Sequence, residues 1–262
     1  MPWRRSSDRG EHTAALQVGL RRLKLAAVRR LAPEICQTAK VQRWAPQELL
    51  RTLVEAEIVA RERSNLDTRL RQAGFPVRKA LEEFQLQLSS VPQPTFNYLS
   101  SLEWIRAKAN VCLIGPAGTG KSHLLVGLGH AAVGAGFRVR YFAAADLVET
   151  LCRSLADNSV GTVIDQLPRA DLVILCELGF APLDLNGSQL PFRFVATAYE
   201  RRSLGIASHW PFDQCARFLP EQTTTVSMFD RLLHHASVVV TDGESYHIRE
   251  AKTRGGTRLQ KA

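Results

Sequence analysis

Eight consecutive residues, Gly115-Pro116-Ala117-Gly118-Thr119-Gly120-Lys121-Ser122, fit the pattern G-x-x-x-x-G-K-[ST] at every fixed position. An apolar run, Val111–Ile114, precedes them and a helical pattern, His123–Ala132, follows. The residue types suit a bound polyphosphate. Glycines let successive backbone N–H groups turn inward, and the N-terminus of the following helix adds partial positive charge. The Lys121 ammonium can reach β- and γ-phosphates, and the Ser122 hydroxyl is a hard oxygen ligand for Mg²⁺. His123, directly after the loop, completes the candidate nucleotide-binding set.

Such a site needs a second strand that ends in an acid near the metal. The segment Asp171-Leu172-Val173-Ile174-Leu175-Cys176-Glu177 has the apolar run, and Glu177 stands where a carboxylate could orient an attacking water. The position before it, usually an Asp that supports Mg²⁺, is Cys176. A thiol is soft and mostly protonated near neutral pH, so it is a poor partner for a hard cation. A buried free Cys usually behaves as a small apolar residue. The sequence therefore leaves ATP hydrolysis open.

These segments belong to a regular alternation. From residue 110 onward, short apolar runs (Val111–Ile114, Val139–Phe142, Leu172–Leu175, Leu204–Ala207 and Val238–Val240) are separated by helical patterns, notably His123–Ala132, Leu147–Leu155 and Gln189–Glu200. That alternation predicts a parallel sheet covered on both faces. Before it, Leu16, Leu20, Leu23, Ala27 and Leu31 mark a helix over 12–34 that Pro33 interrupts near its end. A second helix should start near Pro46 and stop at Gly74-Phe75-Pro76. Ser89–Pro94 reads as a linker.

The chain has 262 residues, of which 45% are apolar and 23% charged, which are ordinary globular proportions. No stretch approaches the roughly 20 apolar residues of a membrane span, and no secretory leader is expected. Five cysteines without a C-x-x-C pair suit a reducing cytoplasm. Charge is uneven: residues 1–80 hold 17 Lys and Arg against 8 Asp and Glu, while the remainder holds 17 of each. The whole net charge of +9 thus lies in the first third. Arg21, Arg22, Lys24, Arg29 and Arg30 are its densest cluster and the candidate contacts to nucleic-acid phosphates, a solvated helical face being the plainer reading.

Other residues offer less. His234 and His235 are adjacent, so on a helix they point in different directions, and no acid or cysteine is spaced in sequence to join them as metal ligands. Cys152 and Cys215 lack a neighbouring His and acid. The four tryptophans are scattered, so no base-stacking array is visible, and no base-reading motif stands out.

Several blocks besides the phosphate loop resemble the IstB-like transposition helper ATPases, relatives of DnaC-type helicase loaders within the AAA+ group. They are Leu49–Glu62, Arg69–Leu81, Ile174–Leu183, Ala198–Ser203, Asp230–His235 and Gly243–Arg249, in the expected order over residues 46–250. The resemblance implies a P-loop NTPase fold, an α/β doubly wound parallel sheet of the AAA+/ASCE type behind a small all-α basic N-terminal domain. It implies Lys121 and Ser122 at the phosphate and Mg²⁺ positions and Glu177 as catalytic acid. Arg231 matches the arginine offered to a bound γ-phosphate, in trans or in cis. His209 stands where the family has a polar Asn at the tip of the fourth strand, Cys176 replaces the Walker B Asp, and His247 stands in place of Arg.

Together these readings divide the chain into a flexible extension (1–15), a helical basic domain (16–90), a P-loop ATPase domain (91–252) and a basic tail (253–262). The function they imply is a cytoplasmic, ATP- and Mg²⁺-binding homo-oligomer that assembles on double-stranded DNA and assists a cognate transposase. The alternatives are a nucleotide-dependent DNA scaffold without hydrolysis and a helicase loader. A small-molecule kinase would leave the basic region unexplained.

Overall fold

A computed structural model describes residues 9–156, 169–178, 193–210, 222–243 and 245. The chain divides into two compact units, Met1–Thr68 and Arg69–Ala262.

The first unit is helical: α1 (Arg9–Arg22), α2 (Ala26–Val41) and most of α3, which spans Pro46–Ala73. The expected single helix over 12–34 is in fact two, and Pro33 lies inside α2. The break falls at Lys24, whose φ of 56° is left-handed. Lys24 N–H donates to the Arg21 carbonyl at 3.0 Å and Leu25 N–H to the Leu20 carbonyl at 2.9 Å, the bond pair that closes a helix C-terminus. Helix α1 starts at Arg9, within the segment expected as an extension.

A long-range acid supplies the missing cap of α2. No local side chain caps its N-terminus. Instead Glu57, on α3 and only 6% exposed, accepts the N–H groups of Ala27 and Val28 at 2.9 and 3.1 Å. Its other oxygen accepts from Arg61 Nε at 2.9 Å, and Arg61 also donates to the Lys24 carbonyl at 3.0 Å. The Val28 hydrogen bond is the foremost reason why the Glu57 carboxyl titrates below its ordinary value. A depressed carboxyl pKa stabilises the fold above the unfolded-state pKa, and that contribution is lost as pH falls through the folded value. Glu57→Gln should therefore lower the melting temperature at pH 7 and weaken its decline in acid, which thermal melts between pH 3 and 7 would show.

The second unit was expected to begin near residue 91, yet it takes in residues 69–90. The reason is apolar burial: Leu70, Phe75, Leu81, Phe84 and Leu86 pack against its core. Arg69, Arg71, Arg78 and Lys79 thus belong to this unit, although they count toward the basic first third. Two 3-10 turns, Leu81–Glu83 and Leu86–Leu88, lead to α4 (Gln93–Ser100) and α5 (Glu103–Arg106).

Then comes the expected alternation: β1 (Asn110–Ile114), α6 (Lys121–Gly134), β2 (Val139–Ala143), α7 (Ala144–Ala156) and β3 (Leu172–Leu178). Helical residues 193–198 precede β4 (Ser203–Ser208), and α8 (Gln222–Leu233) precedes β5 (Ala236–Val240). All pairings are parallel, in the order β2-β3-β4-β1-β5. Alternate strand residues face opposite layers. Val111, Leu113, Ile174 and Cys176 join the core with Leu124, Leu125 and Leu128 of α6. Cys112, Val173, Leu175, Leu204 and Ile206 join the other with Leu151, Met228 and Leu232. Both faces are covered, as the unbroken apolar runs predict.

Cys36, Cys112, Cys152 and Cys176 are free thiols. No helix of the described residues is long and apolar enough to cross a membrane. Cys215, His247 and the tail 253–262 lie outside the described residues.

Candidate functional site

Strand β1 ends at Ile114 and α6 begins at Lys121, so the Gly115–Gly120 loop sits at the C-terminal edge of a central strand. Its shape depends on a close approach of the neighbouring strand. Thr241, just after β5, donates its N–H to the Ile114 carbonyl at 2.6 Å. A Cβ on Gly115, whose φ is 152°, would lie 2.0 Å from the Thr241 carbonyl oxygen. Gly118 has φ 80°, and a Cβ there would lie 2.1 Å from Ser245 Oγ. At both positions any side chain is excluded by space as well as by conformation. Thr119 and Thr241 hydroxyls meet at 2.8 Å, and Thr119 donates to the Pro116 carbonyl at 3.0 Å.

Lys121 is 4% exposed and folds back over the loop. Its ammonium donates to the carbonyls of Gly115 at 2.6 Å and Pro116 at 2.5 Å, and to the Thr119 hydroxyl at 3.4 Å. Burial pulls its pKa below the ordinary lysine value. A cation held in this way inside a ring of loop carbonyls is poised for an arriving phosphate, which offers it a full countercharge.

Cys176 lies on the same face of β3 as the α6 packing surface and is fully buried. Burial pushes its thiol up to about 11, with hydrogen bonds from the Tyr141 and Ser122 hydroxyls opposing the shift. Tyr141, on β2, is held neutral mainly by burial and then by the sulfur. The donor set therefore fits the nucleotide better than the ion. The loop, Lys121 and the helix N-terminus suit phosphates, and the hydroxyl of Ser122 suits Mg²⁺. The protonated thiol beside Ser122 does not suit that ion.

Glu177 follows in left-handed backbone, φ 65°, where the β3–β4 register slips between Leu175 and Leu178. That conformation costs a non-glycine residue about 1–2 kcal/mol and turns Glu177 out of the ladder into solvent. His209, directly after β4, has its pKa lowered first by burial, then by the nearby Lys121 charge, while Glu177 acts in the opposite sense. Lys121, Cys176, Glu177 and His209 are thus gathered at one edge of the sheet.

Two other candidates stand apart. Arg231 lies in the last turn of α8, beside Tyr199, at the end of the sheet where β4 and β5 begin. The phosphate loop occupies the opposite end. The His123 ring lies 3.4 Å from the Ala80 carbonyl and meets Phe84 edge-on. Of the basic cluster, Arg21, Arg22, Lys24 and Arg30 are exposed and Arg29 half-buried, all around the α1–α2 corner. Sequence reasoning missed Thr241, Tyr141 and Phe84. Each reaches the site from a distant element, and no local pattern marks it.

A five-stranded parallel sheet of this order, with the loop leaving β1 into α6, is the P-loop fold of AAA+ proteins. The likeness extends to DnaI at a TM-score of 0.52, with 16% identity over 63% of this chain and 92% of that one. It extends also to AMPPCP-bound DnaA from Aquifex aeolicus at 0.52, with 19% identity over 67% and 54% of the two chains. At the level of sequence, the chain belongs to the family of IstB-like ATP binding proteins, which matches residues 18–254. It is 31% identical to an insertion sequence ATP-binding protein of Sinorhizobium fredii over 91% of this chain and 80% of that one. The ATP-binding protein of insertion sequence IS21 from Pseudomonas aeruginosa is 30% identical over 92% and 91% of the two chains.

Proposed function

We propose that this protein binds ATP and Mg²⁺ at the Gly115–Ser122 loop and acts as the DNA-binding helper of a transposase in the cytoplasm. It would assemble on duplex target DNA as an ATP-dependent homo-oligomer. The observation that carries this reading is the buried Lys121 ammonium, held by the loop's own carbonyls at the helix N-terminus within a family of ATP-binding proteins. Insertion-sequence relatives of similar length support the transposition context.

Each residue has a physical task. The loop N–H groups and α6 hold the phosphates, and Lys121 exchanges carbonyl partners for phosphate oxygens. Ser122 would hold Mg²⁺, which would supply charge neutralisation at the phosphates. Glu177 orients the attacking water, and His209 donates a hydrogen bond toward the reacting phosphate. Arg231, lying away from its own loop, serves a neighbouring subunit's nucleotide in trans. Electron microscopy with duplex DNA tests this reading: ordered assemblies should form with ATP and be absent without it. Assemblies indifferent to nucleotide would refute it.

One observation favours a nucleotide-dependent scaffold with slow turnover. Cys176 places a protonated thiol where a carboxylate would stand, which affects hydrolysis more than binding. Cys176→Asp should raise steady-state ATP turnover at least about tenfold, equivalent to roughly 1.4 kcal/mol of barrier. Brisk turnover in the unmodified protein with no gain in the variant would contradict this role of Cys176.

A further inference from the structure

Two segments far apart in sequence meet where β4 and β5 begin. Tyr199 and Glu200 form the turn before β4, and His234 and His235 form the turn that joins α8 to β5. One ligand atom each from Glu200, His234 and His235 lies within 4.8 Å of the others. His235 Nε2 is 3.9 Å from Glu200 Oε1, and the two imidazole centroids are 4.1 Å apart. Glu200, remote from the histidine pair in sequence, is thus brought to it by the fold.

We propose that Glu200, His234 and His235 form a binding site for a transition-metal ion of the Zn²⁺ type. The donor chemistry selects the ion: two imidazole nitrogens and one carboxylate suit Zn²⁺, whereas Mg²⁺ and Ca²⁺ prefer oxygen alone. Zn–N and Zn–O bonds of about 2.0–2.2 Å set tetrahedral ligands roughly 3.4 Å apart. The cluster has only to draw together slightly, and the exposure of His235 (54%) and Glu200 (62%) leaves room for it. Three protein ligands leave further positions for water or for a group on another molecule.

The surroundings supply support for the ligands. Tyr199 OH lies 3.0 Å from His234 Nδ1. In the tautomer that donates from Nδ1 to this oxygen, Nε2 keeps its lone pair for the metal, which is how partners of ligating histidines fix the ring. The two turns are also tied together from beneath by buried Asn110. Its side-chain amide donates to the Leu232 carbonyl at 2.8 Å, its oxygen accepts Leu204 N–H at 2.9 Å, and its own N–H donates to the His235 carbonyl at 2.8 Å. A bound ion would bridge the end of α8 to the turn before β4 and so fix the helix that carries Arg231. The site is separate from the phosphate loop and does not depend on nucleotide.

The test uses the full-length protein after dialysis against a chelator. Titration with Zn²⁺ by calorimetry, and with Co²⁺ followed by visible absorption, should show one equivalent that weakens at least about tenfold in His234→Ala and in Glu200→Gln. Tyr199→Phe should weaken it about tenfold by removing the support of the ring. Cys152→Ser should leave it unchanged. Equal stoichiometry and affinity in the wild type and all ligand variants would overturn the site. A second measurement needs no variant: Zn²⁺ should protect His234 and His235 from diethyl pyrocarbonate, read by peptide mass spectrometry. Equal modification with and without Zn²⁺ would refute the proposal.

Discussion

Lys121→Ala should lower ATP affinity about a hundredfold while leaving the fold intact, as read by nucleotide titration beside a thermal melt. A hydrogen bond to a charged group contributes about 1.5–3 kcal/mol, and tenfold in affinity is 1.4 kcal/mol. The upper end applies because Lys121 is almost wholly buried at the loop. In the folded protein its ammonium serves loop carbonyls rather than packing, so its removal mainly affects phosphate. The pH dependence follows. Burial depresses the lysine pKa, and bound phosphate raises it again. ATP affinity should therefore be full below the pKa of the free protein and fall as pH rises through it. Unchanged affinity in folded Lys121→Ala would remove the loop from nucleotide binding.

Neutralising Arg21, Arg22, Lys24, Arg29 and Arg30 together should nearly abolish duplex DNA binding at physiological salt. The four exposed cations correspond to a change of about 3.6 in the slope of log affinity against log salt, on the order of a thousandfold at 0.1 M. Substitution is a cleaner test than truncation at residue 80, because residues 69–80 pack with the second unit. Fluorescence anisotropy at several salt concentrations, with assembly followed in the same samples, gives both quantities. An unaltered slope would place the DNA contacts outside this corner.

The sheet and its loop were legible because their signals are local. All five apolar runs became strands, and the loop followed the first of them. Contacts made across the fold were not legible. Glu57 caps α2 from another helix, so no residue near Lys24 announces the break. Nothing in the local sequence marks Phe75 and Phe84 as residues that pack against the core of the second unit. Thr241 becomes part of the site only because β5 pairs with β1. Glu200 and His234 show the same limit, since turns that precede two different strands share no sequence pattern.

Strand β5 has a mechanical consequence. It runs in register with β1 from Asn110↔Ala236 to Ile114↔Val240, with His235 at one end and Thr241 at the other. At about 3.3 Å per residue it is a spacer of fixed length between the histidine turn and the phosphate loop. The Thr241 carbonyl oxygen already stands 2.0 Å from where a Cβ on Gly115 would be. The loop therefore has no clearance on that side, and a slip of one residue along the ladder would jam it. Insertions or deletions within β5 should be tolerated far worse than changes in its side chains.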